Sequence, residues 1–99
     1  MERITKEQMS EYLEKSQLYQ RLSQGIIDVN VEMSHGYGRE LNCITLRAWD
    51  RDAEGNLVND KKGNCKCLSV KMTTWQTKRQ NDGALLKMKN YLTKNGVEL

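Results

Sequence analysis

The clearest pattern along the chain is the run Ile27-Asp28-Val29-Asn30-Val31-Glu32-Met33, in which apolar and polar residues alternate without a break. A period of two is the mark of a half-buried strand. It turns Ile27, Val29, Val31 and Met33 toward a core and Asp28, Asn30 and Glu32 toward water. Two later stretches can pair with it, and a helical pattern lies on either side. The expectation is a fold organised around this strand, over residues 26–33.

Upstream, Thr5-Lys6-Glu7-Gln8 fits a capping box with Thr5 as N-cap, and a helical pattern follows to about residue 24. Met9, Tyr12, Leu13 and Ser16 share one face, while Leu18, Tyr19 and Leu22 form a stripe rotated from it. The drift predicts either a broad buried face or a break near Ser16. Glu7, Glu11 and Glu14 line the opposite side, and Gly25 is placed to end the helix in a left-handed conformation.

Downstream, residues 34–38 contain Gly36 and Gly38 and read as a hairpin loop that uses positive φ. A second strand is expected over 41–49, with Ile44, Leu46 and Ala48 on one face and Cys43, Thr45, Arg47 and Trp49 on the other. A turn-rich connection over 50–63 follows, within which Leu57 and Val58 can extend the ladder. A third strand is expected over 64–72, with Leu68, Val70 and Met72 alternating against Cys65, Cys67, Ser69 and Lys71. Thr73 or Thr74 is expected to cap a last helix running to about 95. Gly83 interrupts that helix, so Asp82 is a candidate second N-cap between two segments. Ala84, Leu85, Met88, Tyr91 and Leu92 make its apolar stripe, and Asn95-Gly96-Val97 predicts a Schellman end with Val97 against Leu92.

The predicted class is α+β: one small domain over residues 1–99 in α-β-β-β-α order. A three-stranded antiparallel sheet with both helices packed on one face buries every stripe at once. The other face, bearing Thr45, Arg47, Trp49, Ser69 and Lys71, is left open to solvent or to a partner.

Composition narrows the function. At 99 residues and 37% hydrophobic content the chain is globular with a thin core, and no apolar run approaches the length of a membrane helix. The polar N-terminus lacks a signal-peptide core, and the three Cys are an odd number, so reduced thiols in the cytoplasm are expected. Up to residue 60 there are seven Lys/Arg against eleven Asp/Glu; from 61 onward there are nine against two. This asymmetry suggests an anionic partner for the second half, or pairing of opposite charged halves in a homo-oligomer.

Catalytic motifs are not readable: one His stands in a glycine loop, with no phosphate loop and no nucleophile elbow. The chain is therefore expected not to be an enzyme and to need no cofactor. Cys43, Cys65, Cys67 and His35 are the residue types of a tetrahedral zinc set, although Cys-x-Cys within a strand spreads its sulfurs. Asp50-x-Asp52-x-Glu54-Gly55 matches the first half of an EF-hand loop but has Lys61 where the bidentate Glu belongs, so a charged turn is expected. The candidate partner-binding residues are Lys71, Lys78, Arg79, Lys87, Lys89 and Arg47, with Trp49, Trp75 and Tyr37 as stacking surfaces.

The element order resembles that of double-stranded RNA-binding domains, whose first hairpin loop carries a His and whose last helix begins with a Lys cluster. His35 and Lys78-Arg79 stand loosely in those places. The Gly-Pro-x-His loop and the Lys-Lys-x-Ala-Lys helix start of that family are absent, so the resemblance is one of topology. The leading expectation is a small regulatory or inhibitory protein, of the kind found in phages and other mobile elements, that docks onto a larger protein through an acidic patch on that partner. RNA or DNA binding through the basic half is the second reading, and a zinc or small-ligand binder the third.

Overall fold

The architecture is described from a computed structural model, in which residues 4–63 and 66–99 are described. The elements are α1 (Lys6–Leu22), β1 (Asp28–His35), β2 (Leu41–Trp49), β3 (Cys67–Thr73) and α2 (Lys78–Lys94). The strands form one antiparallel sheet in the order β1-β2-β3. Asn64, where the third strand was expected to start, lies outside the described residues.

Register follows the alternation. Val31 pairs with Leu46 and Leu46 with Val70; Met33, Ile44 and Met72 form the next row, and Val29, Ala48 and Leu68 the one beyond. Cross-strand partners share a face, so this set lines one side of the sheet. Met9 and Tyr12 of α1 and Leu85, Met88 and Leu92 of α2 join it in a single core. Both helices therefore cover the same face, as expected.

The strand at the centre is not the one whose pattern is cleanest. β1 is an edge, and β2 lies between its neighbours. Ile44, Leu46 and Ala48 are fully buried, whereas Val29 and Val31 are half-buried and Met33 is 48% exposed. The reason is connectivity: two successive hairpins place the middle strand in the middle, whatever its pattern. Ile27 is buried but precedes the strand, which continues instead through Ser34 and His35.

α1 begins on Thr5, whose side chain accepts from the Gln8 N–H while the Gln8 side chain accepts from the Thr5 N–H. It runs unbroken to a Ser23 C-cap, and Gly25 follows at φ +82°. There is no break at Ser16; its hydroxyl is buried and donates to the Tyr12 carbonyl at 2.7 Å. Leu18 and Leu22, the rotated stripe, remain more than one-third exposed.

α2 repeats the device. Thr77, not Thr73 or Thr74, is its N-cap, and Thr77-x-x-Gln80 is a second capping box. The helix passes through Gly83 without a break, because the tertiary contacts of Leu85, Met88 and Leu92 outweigh a glycine penalty of about 1 kcal/mol. Asp82 is thus an interior residue and not a cap. The C-terminal end is the expected Schellman motif: Gly96 sits at φ +94°, and the Val97 N–H donates to the Leu92 carbonyl at 3.0 Å.

The β1–β2 loop departs from expectation. Its left-handed residue is Arg39, at φ +63°, and neither Gly36 nor Gly38 has positive φ. The two glycines instead leave room for the Glu40 carboxylate, which a Cβ at either position would meet. In the β2–β3 connection, Arg51 bridges Leu57, and the Asp52 carboxylate accepts from the N–H groups of Glu54 and Asn56. This is a charged turn.

Candidate binding surfaces

Three separate regions carry the residues singled out from the sequence. Arg47, Trp49 and Lys71 lie on the face of the sheet opposite the helices. In that row pattern Asn30 stands beside Arg47 and Ser69, and Glu32 beside Thr45 and Lys71. Glu32 ion-pairs with Arg47 at 2.9 Å, and Asp28 with Arg51. Trp49 is half-buried and lines a shallow cleft of about 430 Å³ with Asp28, Asn30, Arg51 and Leu57.

Lys78, Arg79, Lys87 and Lys89 lie on α2, across the sheet from that face. They cannot form one continuous patch with Arg47 and Lys71, because the core stands between them. Tyr37 and Trp75, both largely exposed, sit in the β1–β2 loop and the β3–α2 connection. Those two segments share one end of the domain, where the Thr74 N–H donates to the Asn42 carbonyl at the start of β2.

Among the described residues the zinc set does not assemble. Cys43 pairs with Thr73 at one end of the sheet, and Cys67 pairs with Trp49 at the other. Six residues of strand separate the two rows, or about 20 Å. His35 is at the Cys43 end, opposite Leu41. Cys65 lies outside the described residues, and among the described residues no cluster of three His, Cys, Asp or Glu could hold a metal ion.

The basic helix is held in place by groups whose sequence signals are weak. Asn81, on the apolar stripe of α2, is fully buried; its side chain accepts from the Thr73 N–H and donates to the Thr73 carbonyl, both at 2.9 Å. Asp82 accepts from the Tyr12 hydroxyl at 2.8 Å and from the Lys78 ammonium at 2.6 Å. Burial, and then the Asp82 carboxylate beside it, push the Tyr12 phenol up to about 12. The Lys78 hydrogen bond holds the Asp82 carboxyl below the usual carboxylate range, against the smaller opposing effect of burial. At the other end of α2, Tyr91 donates to the buried Asp50, which also pairs with Lys66 at 3.3 Å. Burial and then that carboxylate raise the Tyr91 phenol as well. The Asn81 position, four residues before Leu85, was the available signal: an amide on an apolar stripe is there to satisfy something buried.

What remains on α2 is a cationic arc. Arg79, Lys87, Lys89 and Lys94 are exposed and have no carboxylate within ion-pair distance among the described residues. The only acid between Lys61 and Lys94 is Asp82, and it is engaged. On α1 the exposed arc carries Glu7, Glu11 and Glu14. Exposed Lys6, Lys15 and Arg21 balance those three acids on α1, so the net positive charge of the helical layer sits on α2. No helix of the described residues is long and apolar enough to cross a membrane. Comparisons with protein-family models, with curated proteins and with solved structures each return no significant match.

Proposed function

We propose that this chain is a non-catalytic binding protein that docks through the exposed arc of α2 onto an acidic surface of a larger protein and regulates or inhibits it. The observation that carries the reading is the set of four cations on α2 with no counter-charge among the described residues. Unsatisfied charge of one sign on one helix speeds encounter with a complementary surface and selects against like-charged ones. Glu7, Glu11 and Glu14, offset by Lys6, Lys15 and Arg21 on the same helix, would place carboxylates under a polyanion laid over that side of α1, which favours a protein partner over duplex nucleic acid.

The test is Arg79→Glu with Lys87→Glu. Both side chains are exposed and outside the core, so the fold should tolerate them. Lys78 is left alone, because an acid there would face Asp82 and disturb its bond to Tyr12. With nuclease-treated extract of the cells that carry the gene, lysine cross-linking should join Lys87, Lys89 or Lys94 to one protein, and the double variant should lose that product. Titration with random duplex DNA and RNA at two salt concentrations supplies the opposing outcome. Micromolar binding whose log K falls steeply with log salt, by about 0.9 per phosphate contact on DNA, would overturn the reading in favour of nucleic acid.

A further inference from the structure

We propose that two copies of this chain pair through the free edge of β1, antiparallel and centred on Val31, to form one continuous six-stranded sheet. The Val29 carbonyl accepts from the Gln20 side chain of α1 at 3.2 Å, so it points away from β2. In an antiparallel ladder the residues of a strand alternate in direction, so Val29, Val31 and Met33 all aim N–H and C=O at the open edge. No strand of the described residues lies beyond them.

The edge is self-complementary. A two-fold axis through Val31 sets Val31 against its own copy, Val29 against the second Met33, Asn30 against the second Glu32, and Asp28 against the second Ser34. No like charges meet directly. The two acids of the strand are already neutralised within their own chain, Glu32 by Arg47 and Asp28 by Arg51. Pairing covers Met33, which is 48% exposed in the single chain, and completes the burial of Val31. The strand carries no Pro and no Lys, the usual means of blocking an edge. The opposite edge, β3, is guarded more fully: Asn81 occupies both the N–H and the C=O of Thr73 and Lys71 projects from the strand, whereas on β1 Gln20 takes one lone pair of the Val29 carbonyl and leaves the other for the second Met33 N–H.

The helix above agrees. Gln20 reaches the β1 edge, so the shoulder of α1 on that side is Leu13, Gln17 and Gln24, its neighbours at helical spacing. That shoulder carries no acid; the charges flanking it are the exposed cations Lys6 and Arg21, and Glu7, Glu11 and Glu14 lie elsewhere on the helix. An isologous contact of this kind closes at two copies, whereas pairing β1 to β3 would continue indefinitely. It leaves both α2 arcs exposed at the far sides of the dimer.

Sedimentation equilibrium from micromolar to millimolar chain tests the proposal, with amide exchange alongside. A concentration-dependent dimer is expected, with the Val31 and Met33 amides exchanging at least about tenfold more slowly in the dimer than in the dilute chain. Met33→Lys, and separately Ser34→Asp opposite the second Asp28, should each raise the dissociation constant about tenfold or more without moving the thermal midpoint of the dilute chain. Lys71→Glu on the other edge should leave it unchanged. A chain that stays monomeric at millimolar concentration, or a dimer that ignores the β1 variants, would overturn the proposal. So would a dimer that responds to Lys71→Glu. Unprotected Val31 and Met33 amides in a dimer would overturn it independently of any variant.

Discussion

Asn81 offers the sharpest test of how the sheet holds α2. Asn81→Ala removes one acceptor and one donor from a fully buried position, and Thr73, which loses both partners, is itself only 1% exposed. Each hydrogen bond contributes about 1 kcal/mol net, and each buried backbone group left unsatisfied costs about 1–3 kcal/mol. The better helix propensity of Ala returns about 0.6 kcal/mol. The net expectation is a loss of about 2–4 kcal/mol, which for a domain of this size lowers the midpoint by about 10–25 °C. Urea unfolding followed by circular dichroism measures it. Asn81→Asp adds a second handle. An ionised carboxylate keeps the acceptor for the Thr73 N–H but turns an oxygen toward the Thr73 carbonyl; a protonated carboxyl restores a donor. The folded state thus favours the protonated acid and raises its pKa above the unfolded value. The stability this provides is present below about pH 4, near the unfolded value, and is lost as pH rises through the raised one. Measured as a difference from wild type, the Asp variant should therefore fall further behind between about pH 4 and 7. A loss under about 1 kcal/mol for the Ala variant, or a pH-independent difference for the Asp variant, would refute the role assigned to Asn81.

Leu46→Asp on the central strand should prevent folding, because it leaves an unpaired charge at a position with no exposure, while Val31→Asp on the half-buried edge should be milder; equal effects in denaturant unfolding would contradict the edge placement. Glu32→Ala should cost under about 1 kcal/mol, since its Arg47 pair is solvent-exposed and should matter less still in high salt. Wild type should lose stability as pH rises from about 10, where an unfolded tyrosine ionises, to about 12, where folded Tyr12 does; Tyr12→Phe should flatten part of that fall, and an unchanged alkaline profile would count against the burial of the Tyr12 phenol. Metal chelation should leave the thermal midpoint unmoved, because Cys43 and Cys67 stand at opposite ends of the sheet; a large drop would require ligands brought together in some other way.

Local pattern determined a good deal of this fold. Alternation set which side of each strand meets the core, so the rows built on Val31, Leu46 and Val70 could be read in advance. The Thr5 capping box, the left-handed Gly25 and the Schellman end at Gly96 are likewise written in a few adjacent residues. The second capping box, Thr77-x-x-Gln80, is equally local, yet Thr73 and Thr74 compete with it as starting points, because an apolar stripe alone does not mark where a helix begins. Tertiary structure decided the rest. Alternation has no term for the number of neighbouring strands, so it could not tell that β1 would be an edge and β2 the centre. Gly83 reads as a break because propensity counts backbone entropy and not the core contacts of Leu85, Met88 and Leu92 that hold the helix through it. Charge counted along the chain groups Arg47 and Lys71 with Arg79 and Lys87 as one binding set, since it says nothing about which side of a sheet each cation reaches. The partners of Asp50, Asp82 and Asn81 are 41, 70 and 8 residues away in sequence, and only the packing of α2 against α1 and the sheet brings them together.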